Sequence, residues 1–256
     1  MPDIRSVCIA SVKGGVGKTT TAYALAAAGV ARGMRVAAID LDGARGLTRA
    51  LGLKSKTPTI LDVLTRRVPI EEAVVVSDLG VFAIPGDRQL YQIGFEDKDL
   101  YKLHEELAEE ADLVVIDTHP GEARLQVALE MADVVVVPTV LDDISFDIVA
   151  ETLLAAEECG ALPRVGGVLA SNFKLSGLSR MNLNLLQGLT QLDIAYQNFI
   201  PQAAAWPKAM ARGAMPAKKQ LAEAQALLDE VLTHRCDVVN LHRFLRTWET
   251  ATEGQA

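Results

Sequence analysis

The stretch Val12-Lys13-Gly14-Gly15-Val16-Gly17-Lys18-Thr19-Thr20 decides how the rest of the sequence is read. It follows the apolar run Ser6 to Ser11 and leads into Lys18 to Arg32, where alanines and leucines recur at helical spacing. A strand, a glycine-rich turn and a helix therefore arrive in that order. Glycines let the backbone curl so that successive N–H groups point inward, and the helix after them aims its positive end at the same place. That combination is an anion site. In such a loop the Lys18 ammonium reaches the β- and γ-phosphates of a nucleotide and the Thr19 hydroxyl meets its Mg²⁺, with Gly14, Gly15, Val16, Gly17 and Thr20 completing the cradle. The general pattern asks for glycine five residues before Gly17, where this chain has Val12. Its distinguishing feature is instead Lys13, placed directly before two glycines.

Further strand-like runs are Arg35 to Ile39, Val81 to Ile84, Leu113 to Ile116, Val134 to Val137, Val165 to Ala170 and Ala195 to Ile200. Helical patterns over Lys98 to Glu110, Arg124 to Met131, Asp143 to Cys159 and Leu178 to Leu192 separate most of them. The alternation predicts an α/β fold, a mainly parallel twisted sheet with helices on both faces. Ala217 to Arg235 is amphipathic, Val239 to Thr250 reads as one more helix, and the polar tail Glu249 to Ala256 is expected to fray. With no repeat and no Pro/Gly/Ser linker, the expectation is one domain over 1–256. Its core spans about 4–215, and C-terminal helices over about 217–250 pack on it.

Two carboxylate sites accompany the loop. Asp40-Leu41-Asp42 closes the second strand, and strand alternation puts both carboxylates on one side, where they can face the phosphates. A capping pair at a strand end is the other reading. The run Leu113 to Ile116 ends in Asp117, whose carboxylate is placed to hold Mg²⁺ through water. In the turn Thr118-His119-Pro120-Gly121, a solvent or backbone partner for His119 is favoured over contact with a γ-phosphate.

Composition narrows the class. The chain has 256 residues, 50% apolar and 23% charged, which is enough to bury a sizeable core and unlike a disordered or fibrous protein. Its apolar runs are strand-length, well short of the ~18 residues of a membrane span. No secretory leader is visible, so a cytoplasmic location is expected. Cys8, Cys159 and Cys236 lie far apart without zinc spacing and read as small buried hydrophobes. Charge is lopsided: residues 1–159 hold 15 Lys+Arg against 26 Asp+Glu, and residues 160–256 hold 10 against 7. The last hundred residues can therefore carry a basic face on an acidic protein.

Taken together, these motifs make the chain resemble the ParA/MinD family of deviant Walker ATPases, single-domain P-loop NTPases of the SIMIBI class. The likeness runs from about residue 4 to residue 215. It implies an ATP-sandwich homodimer in which Lys13 crosses to the partner's phosphates; a solvated lysine is the alternative. It implies that Asp40 supports the metal and the loop, and that Asp42 orients the attacking water. The family's Pro-Gln after the second Asp is here Gly43-Ala44, so a looser turn without the family's glutamine contact is expected. The family also points to Asn172 and to the loop beginning Ile200-Pro201 as contacts for the adenine.

The same fold serves carriers, ligases, membrane switches and partition motors. No cysteine is placed for a shared iron–sulfur cluster, and Trp248 to Ala256 has two acids and no base, unlike a MinD-type membrane helix. The closest resemblance is to small ParA-type partition ATPases lacking an N-terminal helix-turn-helix. It implies slow, partner-stimulated ATP hydrolysis, nonspecific binding to duplex DNA in the ATP state, nucleoid association and a ParB-like adaptor, with no membrane partner. Lys174, Arg180, Lys208, Arg212, Lys218, Lys219, Arg235, Arg243 and Arg246 are basic candidates, and Lys208, Arg212, Lys218 and Lys219 are the favoured group. A positioning ATPase for non-DNA cargo and an ATP-dependent metabolic synthetase are the alternatives.

Overall fold

Side chains on successive positions of the central strands go to opposite faces of one sheet and build two separate cores. Cys8, Val114, Ile116, Val135 and Val137 belong to one core, and Val7, Ile9, Val115, Val134 and Val136 to the other. All are buried, which is why these runs are continuously apolar rather than alternating. The computed structural model describes residues 4–53, 58–90, 92–121, 125–142, 145–172 and 179–253.

In chain order, β1 (Ser6–Ile9) leads through the glycine loop into α1 (Lys18–Ala31) and β2 (Val36–Leu41). Three short helices come after it, α2 (Gly46–Ala50), α3 (Ile60–Leu64) and α4 (Ile70–Ala73), then β3 (Val75–Val76) and β4 (Phe82–Ile84). The pairs α5 (Asp97–Glu110) and β5 (Leu113–Thr118), α6 (Leu125–Met131) and β6 (Val134–Thr139), and α7 (Ser145–Glu158) and β7 (Val165–Ala170) come next. The chain continues with α8 (Arg180–Gln191), α9 (Ala205–Met210), α10 (Lys218–Thr233) and α11 (Val238–Glu253). The strands form a seven-stranded sheet in the order β3-β4-β2-β5-β1-β6-β7. All neighbours are parallel except β3 and β4.

This is the α/β architecture expected, and β1 is an interior strand between β5 and β6. Helix α1 packs on one face with α10, whose Leu227, Leu228 and Val231 are fully buried there. Helix α11 packs on the other face beside α7, with Leu241, Phe244 and Leu245 buried.

The structure departs from the sequence pattern in three places. Ala195 to Ile200 is not a strand but a pair of isolated parallel bridges, Val168 with Ala195 and Ser171 with Ile200. Between them the Gln197 and Asn198 amides donate to the Glu230 carboxylate, at 2.6 and 2.9 Å, which takes them out of the ladder. The short antiparallel β3 has no signature in the sequence, because two residues carry no periodicity. Helix α11 continues to Glu253, past the expected fraying at Glu249. The expected helix starts at Arg124, Asp143 and Leu178 lie outside the described residues, as does Lys174.

Gly166 shows how tightly β7 is packed: a Cβ there would overlap the Tyr196 hydroxyl and sit 2.7 Å from Val134 Cγ1. Gly166→Val should therefore lower unfolding stability in urea by about 1–3 kcal/mol. Gly188→Ala, with open space above it in α8, should raise it by about 0.5–1 kcal/mol.

Candidate functional site

The carboxyl ends of β1, β2 and β5 meet at one place, with Asp117 in register with both Ile9 and Asp40. Open α/β sheets bind ligands at this end, where the strand order reverses direction. Lys18, the first residue of α1, is 6% exposed, and its ammonium donates to the main-chain carbonyls of Ser11 at 3.2 Å and Lys13 at 2.7 Å. The loop thus folds around its own lysine. Burial pushes the Lys18 ammonium down from its ordinary range, and the charges of Asp117 and Asp42 oppose that shift. Gly15 and Gly17 have φ of 81° and 94°, and a Cβ at Gly17 would lie 2.6 Å from Ser171 Oγ, so at Gly17 both conformation and space demand glycine.

Thr19 Oγ1 donates to Asp117 Oδ2 at 2.7 Å. Asp117 is completely buried, and its Oδ1 has no hydrogen-bond partner among the described residues. Burial, aided by the neighbouring Asp40 and Asp42 charges, drives its carboxyl well above the usual carboxylate range. An orphaned buried oxygen beside a hydroxyl is a donor set suited to a hard divalent cation. No cluster of three or more metal-ligating His, Cys, Asp or Glu exists among the described residues, so phosphate and water oxygens would have to complete the shell.

Asp40 and Asp42 divide their work. Asp40 is 2% exposed and its oxygens accept from Asp42 N, Thr48 N and Thr48 Oγ1, whereas Asp42 is half-buried and caps Ala44 N at 2.8 Å. Asp42 lines a cavity of about 270 Å³ with Gly14, Gly15, Gly17, Lys18, Thr19, Thr20, Pro120 and Asn172. A second cavity, of about 410 Å³, shares Gly17, Thr20 and Asn172 and extends to Ile200, Pro201 and Trp206. The smaller cavity is the more polar, the larger the more apolar, and they meet at Gly17, Thr20 and Asn172. Asn172 holds a left-handed φ of 51°.

Lys13 is partly exposed, with Nζ 3.8 Å from Asp142 Oδ2. Lys208, Arg212, Lys218 and Lys219 are all exposed, Lys208 on α9, Arg212 just after it, and the other two at the start of α10. Lys219 approaches Glu223 at 4.0 Å. Arg235, by contrast, donates to the carbonyls of Val231 and His234, at 3.2 and 2.7 Å. Motif reading misses Ser11, Thr48 and Ser171, since their contacts come through backbone atoms or distant segments. Ser171 Oγ bonds to the Val16 carbonyl.

A family model described as an AAA domain matches residues 4–158. The chromosome partitioning protein ParA of Caulobacter vibrioides is 32% identical over 188 residues, 68% of each chain. The chain belongs to the ParA/MinD-type P-loop ATPases. An ATP-binding protein of Methanocaldococcus jannaschii is 33% identical over 171 residues, 64% of this chain and 63% of its own length. A variant of McdA from Cyanothece in complex with ATP has the same fold, with a TM-score of 0.72 at 22% identity, covering 90% of this chain and 95% of that one. This ParA/MinD-type chain has no helix, among the described residues, long and apolar enough to cross a membrane.

Thr19→Val removes one of the two groups placed to hold a cation. In titrations with a fluorescent ADP analogue, Mg²⁺ should tighten wild-type binding by about tenfold or more and the variant's by less than about twofold. Gly17→Ala should abolish binding with or without Mg²⁺.

Proposed function

We propose that the protein is an ATP-driven switch: it binds Mg-ATP, closes into a homodimer, engages nonspecific duplex DNA in that state, and lets go after slow, partner-stimulated hydrolysis. Partition of DNA with a ParB-like adaptor is the role this supports, at the nucleoid in the cytoplasm. The observation that carries the reading is Lys13. Lys18 already occupies the phosphate loop as a buried cation, and Lys13 stands beside it as a second, partly exposed one whose ion pair with Asp142 is long. An exposed pair at that distance is worth little and exchanges readily for a better anion. The phosphates of a facing subunit are such an anion, and contacts made only in the ATP dimer are what let a nucleotide shift the equilibrium.

Within one subunit the reaction draws on groups gathered at the strand ends. Loop amides and Lys18 hold the phosphates. Thr19 and Asp117 would hold Mg²⁺, which when bound neutralises charge between the terminal phosphates. Asp42, in the same cavity, orients water toward the terminal phosphate, and Asn172 and Pro201 flank the base. For DNA, Lys208, Arg212, Lys218 and Lys219 lie close in sequence with exposed ammonium and guanidinium groups, suited to phosphates rather than base edges.

Binding to a random-sequence duplex, with light scattering on the same samples, tests this across no nucleotide, ADP, ATP and a slowly hydrolysed analogue. Affinity confined to ATP states, at dimer mass, is the expected result; ATP dimers without DNA affinity would refute the DNA role. Lys13→Ala should keep ATP binding within about twofold and lose the ATP dimer. Replacing Lys208 and Arg212 by Ala should weaken all duplexes alike and flatten the log–log salt slope by about one unit per lost phosphate contact.

A further inference from the structure

The Asp40 carboxylate is buried at the end of β2 and tied to two points of the chain just beyond it. Its Oδ1 accepts the Asp42 N–H at 3.1 Å, and its Oδ2 accepts both the Thr48 N–H at 2.7 Å and the Thr48 hydroxyl at 2.6 Å. Thr48 is itself 1% exposed, and its hydroxyl oxygen accepts the Gly86 N–H at 2.8 Å. Gly86 sits so close that a Cβ there would be 3.0 Å from Asp40 Cγ. One hydroxyl thus links a carboxylate on β2, the helix α2 and the loop after β4. Donors and acceptors in this buried cluster are matched, the condition under which a polar network fixes one arrangement.

The segment held at both ends, residues 42–48, arcs past the phosphate cavity. At one end Asp42 lines the cavity with Lys18. Near the other, a Cβ on Gly46 would come 2.8 Å from Thr19 Oγ1, so α2 rests directly on the residue placed to hold a cation. Between these points the Ala44 N–H donates to Asp42 Oδ1 at 2.8 Å and the Ala44 carbonyl accepts from the Arg49 guanidinium. Arg45 adopts a left-handed φ of 58°, a conformation that a non-glycine residue keeps only when its surroundings impose it. Those surroundings include the Asp42 carbonyl, which accepts the Arg45 N–H at 2.7 Å, the Arg49 N–H, which donates to the Arg45 carbonyl at 3.1 Å, and the Thr48 anchor.

We propose that Thr48 is a positioning residue for cleavage of the bound nucleotide. Its hydroxyl, donating to Asp40 and accepting from Gly86, locks segment 42–48 so that Asp42 keeps its place in the cavity. This rests on the reading of the site as an ATPase centre. The Lys18 ammonium is held by the carbonyls of Ser11 and Lys13, outside the locked segment, so losing the lock affects cleavage more than binding. Misplacing a reacting group by about 1 Å costs up to about 100-fold in rate.

Thr48→Val keeps the branched shape and the backbone N–H bond to Asp40 but loses both hydrogen bonds of the hydroxyl; Thr48→Ser keeps all three. Single-turnover and steady-state ATP hydrolysis are measured for both variants and wild type, with affinity for a fluorescent ADP analogue and amide exchange over residues 42–48. Thr48→Val should lower kcat by about 10–100-fold with KM and ADP affinity within about twofold and faster exchange in the segment, and Thr48→Ser should recover most of the rate. Should the valine variant not fold, Thr48→Ala, which relieves any crowding, takes its place. An unchanged kcat, a parallel fall of kcat and ADP affinity, or no recovery by serine would overturn the proposal. Absence of turnover in wild type over a prolonged single-turnover incubation would instead overturn the ATPase reading on which it rests.

Discussion

A buried ammonium organises this molecule. Lys18 is almost completely removed from water at the carboxyl end of β1, where an isolated charge would be strongly destabilising. It is made tolerable by two carbonyls of its own loop and by the charges of Asp117 and Asp42. Those carbonyls belong to Ser11 and Lys13, so the loop must curl inward to reach it, and the curl requires positive φ at Gly15 and Gly17. An ammonium has three donors. Two serve the loop.

The carboxylates form the other half of the arrangement. Asp117 is buried beside Asp40 in the parallel register of β5 and β2, and mutual repulsion adds to desolvation in raising its carboxyl. Such a pair is held in readiness by its partners: Thr19 on Asp117, Thr48 and Asp42 on Asp40. The late helices are fastened to the same centre. Thr20 Oγ1 lies 3.9 Å from Met210 Sδ, and the Tyr23 hydroxyl donates to the Ala214 carbonyl. The exposed Lys208 and Arg212 therefore ride on a segment bonded to α1, whose first residues line the phosphate cavity.

The central architecture is legible because burial on both faces leaves continuous apolar runs, as in Leu113 to Ile116 and Val134 to Val137, and because the loop motif demands a strand before it and a helix after it. Short elements are not. Helices α2, α3, α4 and α9 have four to six residues, too few for a 3.6-residue period to declare itself. The run Ala195 to Ile200 has strand composition, yet Glu230, a residue far along the chain, takes the amides of Gln197 and Asn198 in its middle. At the site, Lys13, Lys18, Thr19, Asp42 and Asp117 are visible in local motifs. The partners that set their geometry, Thr48, Gly86 and Ser171, are not, because those contacts arise from tertiary proximity and not from spacing.

If a nucleotide bound at the Lys18 loop is completed by Lys13 of a facing subunit, a crystal structure of the protein with Mg²⁺ and a slowly hydrolysed ATP analogue tests it most directly. Two chains should face each other across their nucleotides, each Lys13 ammonium within hydrogen-bond distance of the other chain's phosphates. A nucleotide-loaded single chain with Lys13 still on Asp142, or with Lys13 on its own phosphates, would contradict it.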